Sequence, residues 1–116
     1  MESDQRIVKT ARAILRRLVA GRYDELEFLS ENNFPQEEIR YAIHDYPADP
    51  IEPPDEFDAT VDVVEIDDSS TQSWNVVIPL WTAEEGQSDL CIVITCIDRE
   101  KLDGTLDFEI DGLWVP

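Results

Sequence analysis

A chain of 116 residues with 27 Asp and Glu against nine Lys and Arg, a net charge of −18, has room for one domain and one core. Hydrophobic residues make up 42% of it, including three Trp, four Phe and three Tyr, which is enough apolar surface to exclude wholesale disorder. The acidity argues against direct nucleic-acid binding by the body of the domain, because phosphate contacts need clustered Lys and Arg.

The charge is uneven. Arg6, Lys9, Arg12, Arg16, Arg17 and Arg22 stand against only Glu2 and Asp4 in the first 22 positions, so that segment is net +4 and the other 94 residues carry −22. An acidic body permits a basic partner; it also serves solubility alone.

In chain order, residues 3–20 have the pattern of an amphipathic helix. Ile7, Ala11, Ile14, Leu15 and Leu18 follow the 3, 4 spacing of one face, and Val8 and Val19 widen it. Ser3 is placed as N-cap and Gly21 as the stop, and the arginines form a solvated face. A second helix is expected over 23–30, with Leu26, Phe28 and Leu29 apolar and Asn32 and Asn33 breaking it. A third begins at Phe34-Pro35, with Pro at the first helical position, and runs to Tyr46 on an apolar face of Ile39, Ala42, Ile43 and Tyr46. Residues 47–56 hold four of the seven prolines and are expected to form a stiff, extended connector.

From Phe57 the period changes to two. Phe57, Ala59, Val61 and Val63 alternate with Asp58, Thr60 and Asp62, predicting a strand over 57–66. A turn at Asp67, Asp68, Ser69 and Ser70 leads to a strand over 73–82 with Trp74, Val76, Ile78 and Leu80 on one face. After a turn at 84–88, Leu90 to Ile97 is apolar on both faces and is expected to be a central, doubly covered strand. Asp103-Gly104 marks a further turn, and 106–115 alternates Leu106, Phe108, Ile110 and Trp114 against Asp107, Glu109 and Asp111. Helices followed by about four sequential strands predict one α+β domain over 1–116: N-terminal helices packed on a curved antiparallel sheet.

Cys91 and Cys96, five apart in one strand, point to opposite faces about 16 Å apart, beyond disulfide reach. They are expected to be small buried hydrophobes. Met1 to Asp4 is polar and unlike a signal peptide, and no apolar run approaches the roughly 18 residues of a membrane span, so a cytoplasmic protein without membrane attachment is expected.

No stretch carries catalytic chemistry. His44, the single histidine, lies beside Asp45, but neighbouring helical residues diverge by about 100°, so Asp45 does not orient it as a base. The acidic runs lack the ligand alternation of a calcium loop, no Cys–His cluster offers a zinc site, and no Gly-rich loop cradles phosphate. No catalytic residue, metal or cofactor is assigned.

The order of a helix ending in Gly21-Arg22-Tyr23-Asp24-Glu25-Leu26, further helices and a long meander resembles the cone-shaped nuclear-transport-factor-2-like (ketosteroid-isomerase-like, cystatin-like) architecture. Leu80-Trp81-Thr82-Ala83-Glu84-Glu85-Gly86-Gln87-Ser88-Asp89-Leu90 resembles the hairpin of small bacterial domains without an assigned activity. That likeness runs from Trp74 to the closing Ile110–Val115 stretch. Some small acidic domains of this general kind serve as immunity proteins for secreted toxins, and the resemblance implies that role as one expectation.

Two readings of the hairpin follow. In the structural one, Gly86 supplies a turn conformation, Ser88 and Asp89 bond back to the backbone, and Trp81 covers the sheet edge. In the functional one, Glu84, Glu85 and Asp89 rim an exposed Trp81 for a cationic partner. The preferred function is a non-enzymatic acidic module that binds a basic protein, an immunity-type inhibitor being one form of it. The alternative is a small-molecule-binding or catalytic cone protein with Tyr41, His44 and Trp81 at its mouth. A homodimer through the sheet face is the third. The candidate binding residues are Tyr41, His44, Trp81, Glu84, Glu85, Ser88 and Asp89.

Overall fold

A computed structural model describes residues 5–31, 34–66 and 71–115, apart from the Asp58 side chain. The expected N-cap at Ser3, the break at Asn32 and Asn33, the turn at 67–70 and the direction of Asp58 lie outside the described residues. Three N-terminal helices are followed by a curled antiparallel sheet that forms a half-barrel, an α+β domain. The order is α1 (Gln5–Ala20), α2 (Tyr23–Leu29), α3 (Gln36–Asp45), β1 (Pro50–Ile51), a 3-10 helix (Asp55–Thr60), β2 (Asp62–Ile66), β3 (Ser73–Thr82), β4 (Gly86–Ile97) and β5 (Asp107–Trp114).

Helix α1 buries its predicted stripe, Ile7, Ala11, Ile14, Leu15 and Leu18, while Val19 stays exposed. It stops at Gly21, whose φ of 75° only glycine adopts without strain. The Arg22 amide donates to the Arg17 carbonyl and the Gly21 amide to that of Leu18, the paired bonds of a Schellman stop. In α2 only Tyr23 and Leu26 are buried; Phe28 is 74% exposed. The expected apolar trio is thus split, because residues two apart on a helix face different ways. Pro35 stands just before α3 rather than inside it, with extended backbone. The amide of Gln36 is bonded instead by the Glu27 carboxylate at 3.1 Å, so α2 caps α3.

The strand expected over 57–66 begins only at Asp62, and residues 55–60 are 3-10 helix. Phe57 is fully buried from that helix. The connector is not merely a spacer: Pro50 and Ile51 pair with Thr82 and Trp81, adding a fifth, very short strand. An edge position tolerates Pro50, which has no N–H to give.

In the sheet, β4 lies between β3 and β5, while β1 and β2 share the other edge of β3. Trp74, Val76, Ile78 and Leu80 of β3 meet Leu90, Ile92, Ile94 and Cys96 of β4 and the helical stripe in one core. Each fully buried aliphatic side chain there is worth about 1.5–3 kcal/mol over its exposed state. Two expectations for the later strands are corrected. β4 is central in pairing but not doubly covered, since Val93, Thr95 and Ile97 on its outer face are only half-buried. In β5 a bulge lies between the pairs Val93–Gly112 and Ile94–Ile110. One extra residue reverses which face follows. Leu113 therefore enters the core, and Trp114 lies outside it, 47% exposed. Cys91 pairs with Trp114 and Cys96 with Phe108 on opposite faces; both thiols are free and buried.

The arginines of α1 are not simply a solvated face. Arg12 donates to the Pro53 and Pro54 carbonyls, both at 3.3 Å, and its guanidinium lies 4.5 Å from the Phe57 ring centre. Arg16 pairs with Glu52 at 2.9 Å, Arg6 with Asp98 at 2.9 Å and Arg17 with Glu25 at 3.2 Å. Arg6, Arg12 and Arg16 thereby clamp the basic helix onto segments far along the chain, and Arg17 ties it to α2.

Candidate functional site

The candidate residues fall on two elements, α3 and the β3–β4 hairpin. Polar and charged side chains fill the solvent side of α3 because Ile39 and Ile43 turn the other side into the core. Glu37, Arg40, Tyr41, His44 and Asp45 line a shallow groove on it. Tyr41 is 73% exposed and His44 is also exposed. Arg40 lies 5.7 Å from the centre of the Tyr23 ring, which engages its charge within the fold.

The hairpin turns through Ala83–Glu85, and β4 starts four residues before the expected Leu90, at Gly86 with φ 73°. Thr82 is buried, and its hydroxyl oxygen accepts the Glu85 amide at 3.1 Å while donating to the Glu85 carboxylate at 3.2 Å. Ser88 is buried and bonded to the backbone of Leu90 in both directions. Trp81 is half-buried and packs on the core rather than standing exposed, and its Nε1 is buried with no hydrogen-bond partner among the described residues. Gly86 at the turn and Ser88 bonded to the backbone match the structural description of the hairpin, to which the structure adds Thr82. Glu84 and Asp89 project into solvent.

One residue that sequence reasoning assigned only to the core joins the two elements. The Tyr46 hydroxyl donates to the Glu85 carboxylate at 2.9 Å. Burial raises the Tyr46 pKa, and the hydrogen bond to Glu85 raises it further. The C-terminal end of α3 and the hairpin tip therefore meet. No local pattern announces this contact, which spans 39 positions.

The charge census is lopsided. Arg6, Arg16, Arg17, Arg22, Arg99 and Lys101 are in ion pairs, and Arg12 and Arg40 sit over aromatic rings. Lys9 alone among the nine cations has neither kind of contact among the described residues. By contrast Glu37, Glu38, Asp45, Glu84 and Asp89 are exposed and form no ion pair among the described residues. The described residues hold no group of three or more His, Cys, Asp or Glu arranged to bind a metal ion. No described helix is long and apolar enough to cross a membrane.

The model of a domain of unknown function, DUF7668, matches residues 15–116, nearly the whole chain. The chain belongs to this family. No curated protein and no solved structure matches it. The match takes in α2, α3, the connector and the entire sheet, so every candidate residue lies within the family domain.

Proposed function

We propose that this DUF7668 domain is a non-enzymatic acidic module that binds a basic protein through the end formed by α3 and the β3–β4 hairpin. The observation that carries the reading is the set of exposed carboxylates without an ion pair among the described residues, Glu37, Glu38 and Asp45 on α3 with the exposed Tyr41, and Glu84 and Asp89 on the hairpin that Tyr46 ties to the end of that helix. An aromatic anchor within a rim of like charge suits a partner that presents Lys and Arg, and such a rim acts mainly on association rate and partner choice. The domain's own cations do not compete, because eight of nine are engaged inside the fold. The reading includes an immunity-type inhibitor of a basic toxin as its specific form. It also takes the curled sheet as a cone of the nuclear-transport-factor-2-like or cystatin-like kind, on the order of its helices and meander.

Retention of host proteins on immobilised domain, compared with the double variant Glu84→Lys, Asp89→Lys, tests this. A basic protein held by the native domain, released by salt and lost from the variant is expected. Equal retention by both, or no salt-sensitive partner, overturns the reading.

A further inference from the structure

Away from that end, the flank of α1 and the segment from Lys101 to Phe108 enclose a cleft of about 360 Å³, within the size range of small-molecule sites. Its floor is apolar, made by the buried Ile14, Leu106 and Phe108, with Leu29 at one side. Its rim carries cations. Arg6, Lys9 and Arg17 come from one side of α1, at spacings that align them along the helix, and Lys101 faces them across the opening.

Four cations and the carboxylates of Asp103 and Asp107 line these walls, and with Asp98 and Glu25, which pair with Arg6 and Arg17, the charges balance, so the cation left to meet a ligand's charge is Lys9. Three of the cations are held in place: Arg6 by Asp98, Arg17 by Glu25 and the Ala13 carbonyl, and Lys101 by Asp107. Asp103 is turned back on its own loop, accepting the Thr105 amide at 3.0 Å and hydroxyl at 2.7 Å. Lys9, the cation without an ion pair or ring contact among the described residues, stands at this opening.

From this arrangement we infer that the cleft binds a small amphipathic carboxylate, its apolar body over Ile14 and Phe108 and its carboxylate at Lys9 between Arg6 and Lys101. An apolar floor selects for the body and Lys9 for the charge. A cation is repelled by Lys9, and a short polar acid leaves the floor unfilled. The site is separate from the protein-binding end and stands or falls independently of it.

Amide chemical-shift titration with octanoate tests the inference, with octanol, octylammonium and acetate as controls and Lys9→Glu as the variant. Lys9 is exposed and outside the core, so the variant keeps the fold, and an unchanged amide spectrum outside the cleft verifies this. Octanoate is expected to shift residues 6–17 and 101–108 and to bind about tenfold more tightly than any control. Lys9→Glu is expected to weaken octanoate by about tenfold while leaving octanol unchanged. Octanoate shifts scattered over the sheet, octanol binding equal to octanoate, or unchanged affinity in Lys9→Glu each overturn it.

Discussion

The guanidinium of Arg12 lies 4.5 Å from the centre of the Phe57 ring while its two terminal nitrogens donate to the carbonyls of Pro53 and Pro54. One side chain of the first helix thus fixes the proline-rich connector and the 3-10 helix that follows it. Both carbonyls belong to a segment whose prolines leave it few ladder bonds of its own.

Removing that clamp is expected to be costly. Arg12→Ala should lower stability by about 1–3 kcal/mol, from two charge-assisted hydrogen bonds and a cation–π contact. Arg12→Lys should recover only part, because an ammonium cannot reach two carbonyls in a fork and stack at once. Urea unfolding measures both, and a loss below about 0.5 kcal/mol for Arg12→Ala, the range of ordinary surface changes, would contradict the assignment.

The Trp114 ring lies directly over Gly112: a Cβ there would fall 1.3 Å from the ring. Gly112→Ala must displace the indole, which is half in solvent and able to swing away. A moderate loss of about 1 kcal/mol is expected, together with a shifted Trp114 indole N–H resonance. In the double variant Gly112→Ala, Trp114→Ala, the cost of the alanine at 112 should largely vanish, as a double-mutant cycle reports. Additive losses would show that the ring does not sit on Gly112.

Asp107 gathers Arg99 at 2.8 Å and Lys101 onto one carboxylate. Burial pushes its pKa up, but hydrogen bonds from Lys101 and Arg99 outweigh this and leave it below the usual value. A depressed folded-state pKa contributes stability that is present above the unfolded value, about 3.9, and lost as pH falls through the folded one. Asp107→Asn should therefore be less stable than the native protein at neutral pH, with the gap closing as pH drops below about 4. Thermal melts across that range decide it, and a gap independent of pH would refute the ion-pair account.

Both thiols are buried, and Cys91 is held protonated first by burial and then by the nearby Asp89 carboxylate, each raising its pKa. A buried thiol of raised pKa is inert. Ellman's reagent should label neither cysteine in the native protein and both in denaturant. Fast labelling of Cys91 under native conditions would contradict the packing of β4 against Trp114.

Much of the sheet was legible because a half-buried strand writes its face in alternate residues. The bounds of β3 were read to the residue from Trp74, Val76, Ile78 and Leu80. The same rule misled at Phe57, where a 3-10 helix buries one aromatic and exposes Ala59 without any alternation of faces. It misled again at Trp114, since a bulge reverses facing and leaves no mark in the pattern. Of the candidate site, the exposure of His44 and of the acidic rim residues Glu84 and Asp89 was legible from sequence, and that of Tyr41 was not read. The burial of Thr82 and Ser88, the tie from Tyr46 to Glu85 and the ion pairs of α1 were not, because they depend on partners distant in sequence. The cleft was invisible for the same reason: Lys9 and Lys101 meet only once the chain is folded.

The salt dependence of binding between the domain and a basic protein it retains from host extract, measured for the native protein and for Glu84→Lys, Asp89→Lys, tests the proposal most directly. The predicted result is tight binding at low salt that weakens steeply as salt rises, and a variant whose association is at least about tenfold slower with little salt dependence left. Equal rates and equal salt slopes for the two proteins would place the partner elsewhere and contradict the acidic end formed by α3 and the hairpin as its docking site.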